Sequence, residues 1–196
     1  MTSMTNIFSH TGIYAVVDSV IHEAYGLSKL LQNITLESEI PVIQLRLKKM
    51  SMDVKKQLVT FGIELKRKRE FKLILNDDIE LLSNENIDGL HLGQKDFAFG
   101  MARQAYPKRI LGISTHSVEE AQKAVAEHAD YIGCGAVYPT TSKENTTPLG
   151  LDNLKEIVQA VSIPVVAIGG ITAERINDIA QTKCNMAAVM SGLTIN

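Results

Sequence analysis

The sequence predicts an α/β chain whose strands and helices alternate and close into a (β/α)8 TIM barrel. Short apolar runs alternate with longer amphipathic segments, a pattern typical of strand and helix units around a parallel sheet. Eight such runs follow one another. No linker or low-complexity stretch divides them, so we expect one domain over residues 1–196.

The strands are predicted from the apolar cores IYAVV, VIQL, LIL, GLHL, ILGI, YIGC, VVAI and AAVM. With their polar ends they cover residues 13–18, 42–48, 73–76, 89–92, 110–114, 131–135, 165–168 and 187–190. The amphipathic segments between them predict helices over residues 22–33, 52–69, 79–83, 99–106, 118–127, 151–160 and 173–181.

The predicted barrel lacks its final helix, because only residues 191–196 follow the last strand. Three explanations remain open for what covers the outer face of the last and first strands. Residues 1–12 cover it, a partner subunit covers it in a homo-oligomer, or the chain is a shortened version of a longer one. An open doubly wound sheet is the alternative architecture.

Composition excludes several classes of partner. The formal net charge of -2 and the pI near 6.2 give no general attraction for nucleic acid or membrane, so neither is expected. The N-terminal segment MTSMTNIFSHTG lacks the apolar core of a secretion signal, and no apolar stretch is long enough to span a bilayer. We therefore expect a cytoplasmic protein, with Cys134 and Cys184 reduced and buried.

The second predicted strand carries the first candidate site residues. Its side chains alternate, so Ile43, Leu45 and Leu47 share one face, and the other face carries the set Gln44, Arg46 and Lys48. The apolar face should meet the helices, which leaves two cations inside the barrel. Buried charges need a partner, and a bound anion or a counter-ion would supply it.

Two acidic residues follow the next two strands. Asp77 ends the run LILND, and Asp96 ends LHLGQKD. Active sites of such barrels gather at the carboxyl ends of the strands, so the two carboxylates should lie at neighbouring strand ends. Oxygen ligands beside substrate phosphates suit Mg²⁺. A turn or helix-capping role is the alternative for either residue alone.

Further candidates follow strands five to eight. Ser114 should face inward beside the small Gly112, which leaves room and a hydroxyl for a substrate oxygen. The polar loop YPTTSKENTTPLG contains Thr140, Ser142 and Lys143. The last two strands run into IGGIT and MSG, and such loops of barrels frequently bind phosphate through backbone amides. A site for a monophosphate is therefore predicted there, in addition to the anion site at Arg46 and Lys48.

Read in order, these segments resemble a known family. They are QLRLK, LND, GLHLGQKD, LGISTHS, PTTSK, LGLDNL, PVVAIGGIT and AVMSG, within residues 44–192. The set is similar to thiamine-phosphate synthase. The resemblance implies condensation of 4-amino-2-methyl-5-hydroxymethylpyrimidine diphosphate with 4-methyl-5-hydroxyethylthiazole phosphate, giving thiamine phosphate and pyrophosphate.

The resemblance also implies residue roles. The pyrimidine diphosphate would be held by Gln44, Arg46, Lys48, Asn76, Ser114 and Lys143. Of these, catalysis would rest on Arg46, Lys48, Ser114 and Lys143. Asp77 and Asp96 would hold Mg²⁺. The thiazole phosphate would be held by Thr140, Ser142, Gly170, Met190 and Ser191.

The sequence departs from the family pattern at Ser142, where threonine is usual, and at residues 183–186, which lack the usual glycine. Two alternatives stay open. A related thiazole tautomerase shares the barrel, and His116 stands where its acid–base histidine would be expected. A non-catalytic protein that binds thiamine precursors is the other. Otherwise His91 and His116 are expected to be structural or supporting residues.

Overall fold

The computed structural model describes residues 12–23, 26–36, 38–140 and 147–193. Its eight strands pair in parallel and in chain order, and the last pairs with the first, so the sheet closes into a barrel. They are β1 (Gly12–Asp18), β2 (Val42–Arg46), β3 (Lys72–Asn76), β4 (Gly89–Leu92), β5 (Ile110–Thr115), β6 (Tyr131–Cys134), β7 (Val165–Ile168) and β8 (Met186–Val189). The predicted barrel is confirmed, and the open sheet was the wrong alternative.

Helices connect most of the strands. They are α1 (Leu27–Leu36), α2 (Met52–Lys66), α3 (Phe99–Ala105), α4 (Val118–Ala126), α5 (Gly150–Ala160) and α6 (Ile176–Gln181), with 3₁₀ turns at Ile79–Leu81 and Ala173–Arg175. Ser51 and Ser117 begin α2 and α4, since each side chain accepts a hydrogen bond from a backbone N–H of the first turn. No helix follows β8 as far as residue 193, where the described chain ends.

Several predicted boundaries were wrong. The first helix, predicted from residue 22, begins at Leu27, because Gly26 has a φ of 70° and residues 18–22 form a hydrogen-bonded turn. The predicted helix over 79–83 is one 3₁₀ turn. The second strand ends at Arg46, where its pairing with β1 stops, although the predicted strand reached residue 48. The last strand covers Met186–Val189, one residue earlier than predicted.

Side chains pack in two apolar layers, one outside the sheet and one inside it. Ile43, Leu45 and Leu47 belong to the outer layer between strands and helices, as the alternation in strand two predicts. The inner layer consists of Tyr14, Val16, Val42, Ile74, Ile110, Tyr131, Val166, Met186 and Ala188. Because this layer closes the barrel interior, the polar inward residues lie above it, toward the carboxyl ends of the strands.

No helix in the described part of the chain is long and apolar enough to cross a membrane. Both cysteines are free and buried, as predicted. Burial raises the pKa of the Cys134 thiol to about 12 and also raises the pKa of Cys184.

The raised thiol pKa values predict low chemical reactivity in the native protein. The thiolate is the reactive form, so its fraction at pH 8 should lie far below that of a free cysteine. A chromogenic disulfide reagent should therefore titrate neither thiol rapidly until denaturant is added, and both afterwards. Rapid reaction of the folded protein at pH 8 would contradict the packing described for Cys134 and Cys184.

Candidate active site

A cavity of about 310 Å³ opens at the carboxyl ends of the strands. It gathers eleven of the thirteen predicted site residues: Gln44, Arg46, Lys48, Asn76, Asp77, Asp96, Ser114, Thr140, Gly170, Met190 and Ser191. The other two, Ser142 and Lys143, lie outside the described residues. The candidates from β2, from the strand ends β3 to β5 and from the loops after β6 to β8 therefore share one cavity.

The two cations of the second strand and its end have carboxylate partners. Arg46 forms an ion pair with Asp18, which is fully buried at the end of β1. Lys48 forms an ion pair with Asp77. Both cations remain about one third exposed, at 30% and 39% of their side chains, so they can also meet a ligand. The inward charges thus have counter-ions within the protein, one of which, Asp18, was not predicted.

The two predicted metal ligands differ in how their oxygens are used. Asp77 Oδ2 accepts from Lys48, whereas its Oδ1 is buried and accepts no hydrogen bond from the described residues. Asp96 Oδ2 accepts from the Gly93 N–H at 2.9 Å, which leaves its other oxygen available. Within the described chain no group of three or more acidic, histidine or cysteine side chains is arranged so that it could hold a metal ion. Two carboxylates suit Mg²⁺, which keeps waters and substrate phosphates as its remaining ligands.

Below the charged rim, a chain of hydrogen bonds crosses the barrel. Gln44 Nε2 donates to the Tyr14 hydroxyl at 2.8 Å, and the Tyr14 and Tyr131 hydroxyls are 2.9 Å apart. His91 continues the chain, with Nδ1 3.0 Å from the Tyr131 hydroxyl and Nε2 3.0 Å from Ser114 Oγ. Burial raises the pKa of both tyrosines, so the phenols stay neutral and can donate.

The space beside Ser114 is smaller than predicted. The sequence predicted that Gly112 leaves room for substrate, but the ring of Tyr131 fills that room. A Cβ atom at Gly112 would lie 2.2 Å from Tyr131 Cζ. The glycine is therefore required for core packing, and Ser114 reaches the cavity next to His91.

The glycine edge after β7 depends on close backbone approach. Gly170 has a φ of 63°, and a Cβ atom there would lie 2.6 Å from the Pro139 carbonyl oxygen. Arg175 Nη1 donates to the Gly170 carbonyl at 2.6 Å, and its guanidinium stacks 4.4 Å from the centre of the Tyr138 ring. This arrangement fixes the loop that lines the cavity beside Met190 and Ser191.

His116 lines the cavity and forms a pair with Glu120. Its Nδ1 lies 3.1 Å from Glu120 Oε2, which also accepts from the His116 N–H at 2.7 Å. The pairing orients the ring and anchors the start of α4. His91 contacts Ser114 and lines the cavity too, so neither histidine is remote from the site.

Sequence reasoning missed Asp18, Tyr14 and Tyr131. Asp18 carried a usable signal, because it ends a predicted strand at the edge where barrel sites form. The two tyrosines interrupt apolar strand cores, and a buried phenol requires a hydrogen-bond partner. Which partner each would find depends on strand pairing across the barrel, which no local pattern contains.

Comparisons with known proteins agree with the barrel fold and with the family resemblance of the sequence. The family model TMP-TENI, Thiamine monophosphate synthase, matches residues 13–193. A thiamine-phosphate synthase of Clostridium tetani is 35% identical over 91% of this chain and 86% of its own length, and one of Methanobrevibacter smithii is 40% identical over 81% and 77%. A solved structure of thiamine phosphate pyrophosphorylase from Pyrococcus furiosus superposes with a TM-score of 0.85 and 29% identity, covering 95% of this chain and 88% of that one.

Proposed function

Since the chain belongs to the thiamine monophosphate synthase family, we propose that it condenses the pyrimidine diphosphate with the thiazole phosphate to give thiamine phosphate and pyrophosphate. One observation carries the proposal. The cations Arg46 and Lys48, the acids Asp77 and Asp96, and the phosphate-type edge at Gly170 and Ser191 line the same cavity. The reaction requires two phosphorylated substrates to be bound together, and the residues that line this cavity support a site for each of them.

The cations act on the leaving group. In the proposed reaction the bond between the pyrimidine CH2 carbon and the diphosphate oxygen breaks, and the electron pair leaves with pyrophosphate. Arg46 and Lys48, which line the cavity, are proposed to neutralise the negative charge that develops on pyrophosphate. Such an interaction stabilises the transition state more than the ground state. Lys143, which follows β6 in the sequence, is proposed to add a third cation.

The acidic residues of the cavity suit a magnesium ion. Asp77 and Asp96 would hold Mg²⁺, because Asp77 Oδ1 is a buried acceptor with no described donor and Asp96 keeps one carboxylate oxygen for a ligand. Bound there, the ion supplies positive charge beside the pyrophosphate oxygens. Lys48 pairs with the other oxygen of Asp77. One carboxylate would therefore contact both the Lys48 ammonium group and the metal ion.

The bond-forming step needs no general base. The thiazole nitrogen has a lone pair and no proton, and it bonds to the pyrimidine CH2 carbon directly. Gln44, Asn76 and Ser114 are proposed to orient the pyrimidine. The thiazole phosphate is proposed to be held by Thr140, Ser142, Gly170, Met190 and Ser191. Holding both rings at contact distance converts a bimolecular reaction into an intramolecular one.

A thiazole tautomerase is the second candidate. It is favoured by the pair of His116 with Glu120 at the cavity rim, since an oriented imidazole can move a proton. That activity requires no pyrophosphate release and gives no role to Arg46, Lys48, Asp77 and Asp96 as a set. Those four residues favour the synthase.

The proposal is tested by incubating the purified protein with both substrates, with and without Mg²⁺. Thiamine phosphate and pyrophosphate should appear in equal amounts, only when both substrates and the metal are present. Omission of either substrate is the matched control. Isomerisation of the thiazole without pyrophosphate would favour the tautomerase, and binding of both substrates without any product would leave a non-catalytic binding protein.

A further inference from the structure

We propose that the turn at the end of β1, residues 18–22, holds both anion sites in position. Its three polar side chains are Asp18, Ser19 and His22, each less than 10% exposed. None of them is among the residues that line the cavity. They contact three residues that do line it: Arg46 at the end of β2, Lys48 just after it, and Met190 just after β8. The identity of the two anions rests on the proposed function.

Asp18 fixes the side chain of Arg46. Its Oδ1 accepts from the N–H groups of Val20 and Ile21, at 2.8 and 2.9 Å, so the carboxylate cannot turn freely. Its Oδ2 accepts from Arg46 Nη1. Arg46 carries several further N–H donors, which are available for an anion in the cavity. The fully buried carboxylate of Asp18 therefore fixes the position of the Arg46 guanidinium from which it would bind an anion.

Ser19 fixes the backbone that carries Arg46 and Lys48. The Ser19 N–H donates to the Arg46 carbonyl at 2.9 Å, and its Oγ donates to the Lys48 carbonyl at 2.6 Å. Lys49, which follows Lys48, has a φ of 57°, so the backbone turns in the left-handed conformation shortly after β2. The Ser19 hydroxyl gives the Lys48 carbonyl a hydrogen bond at a point where β2 has already ended.

His22 reaches the other anion site. The Asp18 N–H donates to His22 Nδ1 at 3.0 Å, and His22 Nε2 lies 2.9 Å from the Met190 carbonyl. Nδ1 also lies 3.1 Å from the Asp18 carbonyl oxygen. The Met190 carbonyl can only accept, so Nε2 is the donor in the hydrogen bond to Met190. Nε2 then donates to Met190, which adjoins Ser191 at the edge proposed for the thiazole phosphate.

These contacts give the turn a function beyond its own stability. One end holds the guanidinium that faces pyrophosphate, and the other holds the backbone that faces the second phosphate. The reacting carbon and nitrogen must meet within about 3.5 Å, and a displacement of about 1 Å can cost 100-fold in rate. Asp18 and His22 therefore each hold one anion site in the position that the reaction requires.

The test uses Asp18→Asn and His22→Phe, with the affinities of inorganic pyrophosphate plus Mg²⁺ and of thiazole phosphate measured separately by calorimetry. Asp18→Asn should weaken pyrophosphate about 10-fold and thiazole phosphate far less, while His22→Phe should do the reverse. His22→Gln, which can still donate to Met190, should restore part of the thiazole phosphate affinity.

Asp130→Asn is the matched control. Asp130 also accepts from an arginine and a backbone N–H, Arg103 at 2.5 Å and Leu111 at 2.7 Å, but it precedes β6 at the opposite end of the barrel. It should lower thermal stability and leave both affinities unchanged. If Asp18→Asn does not fold, Ser19→Ala replaces it, with a smaller loss confined to pyrophosphate.

Equal losses of both ligands in each variant would overturn the inference, because a purely structural turn predicts them. Tighter pyrophosphate binding by Asp18→Asn would also overturn it, since that is the result if Asp18 acts only as a competing negative charge. Wild-type protein that binds both ligands but forms no product would overturn the proposed function instead, and the positioning role would still be decided by the two selective shifts.

Discussion

Replacement of Asp77 by asparagine should lower magnesium-dependent product formation by roughly 100-fold or more. Asp77 is the acid whose Oδ1 is buried without a described donor, and its other oxygen pairs with Lys48. Asparagine keeps the shape but removes the charge, so both the proposed metal and Lys48 lose their anionic partner. Initial rates over a range of Mg²⁺ concentrations would measure the effect.

Asparagine is the appropriate substitution because Asp77 has a φ of 62°. Asparagine and aspartate tolerate this left-handed conformation better than other side chains, whereas alanine adds backbone strain. A fall in activity of Asp77→Ala would therefore combine lost charge with a distorted strand end. Asp77→Asn separates the two, since its fold should remain close to the wild type.

The neighbouring Asp78 is the control. It is buried and forms an ion pair with Lys55, but it is not among the residues that line the cavity. Asp78→Asn should reduce stability, because it leaves a partly buried lysine without its partner, and should keep its metal-dependent rate. Equal rates for Asp77→Asn and the wild type at every Mg²⁺ concentration would refute the metal role of Asp77.

The barrel and much of the site could be predicted because they depend on local patterns. The alternation of Gln44, Arg46 and Lys48 with leucine and isoleucine decides which face points inward, whatever the neighbouring strands are. The position of Asp77 after a strand likewise places it at the carboxyl edge. Each of these predictions needs only the period of a strand and the direction of a parallel sheet.

The partners of those residues could not be predicted in the same way. Arg46 meets Asp18, 28 positions away, and His22 meets Met190, 168 positions away, through contacts set by barrel closure. The ring of Tyr131 fills the space at Gly112 because β5 pairs with β6 in a register that places these two residues side by side. Such contacts depend on the whole barrel, and a small residue alone could indicate either an open site or a packed core.

The same register makes Gly112→Ala the substitution with the largest expected structural effect. The added Cβ would lie within 2.7 Å of three atoms of the Tyr131 ring, which is almost fully buried and cannot move toward solvent. We expect the free energy of unfolding to fall by about 1–3 kcal/mol, measured by urea denaturation. Displacement of Tyr131 would also disturb its contacts with Tyr14 and His91, so turnover should fall with stability.

Gly100→Ala separates this clash from the general effect of replacing glycine. Gly100 lies in α3, and a Cβ atom there meets nothing within 4 Å. Alanine at this position should stabilise the protein by about 0.5–1 kcal/mol through its helix propensity and leave turnover unchanged. If Gly112→Ala unfolded at the same urea concentration as the wild type, Tyr131 would not occupy the space beside Gly112. Its place in the hydrogen-bond chain from Gln44 to Ser114 would then be refuted as well.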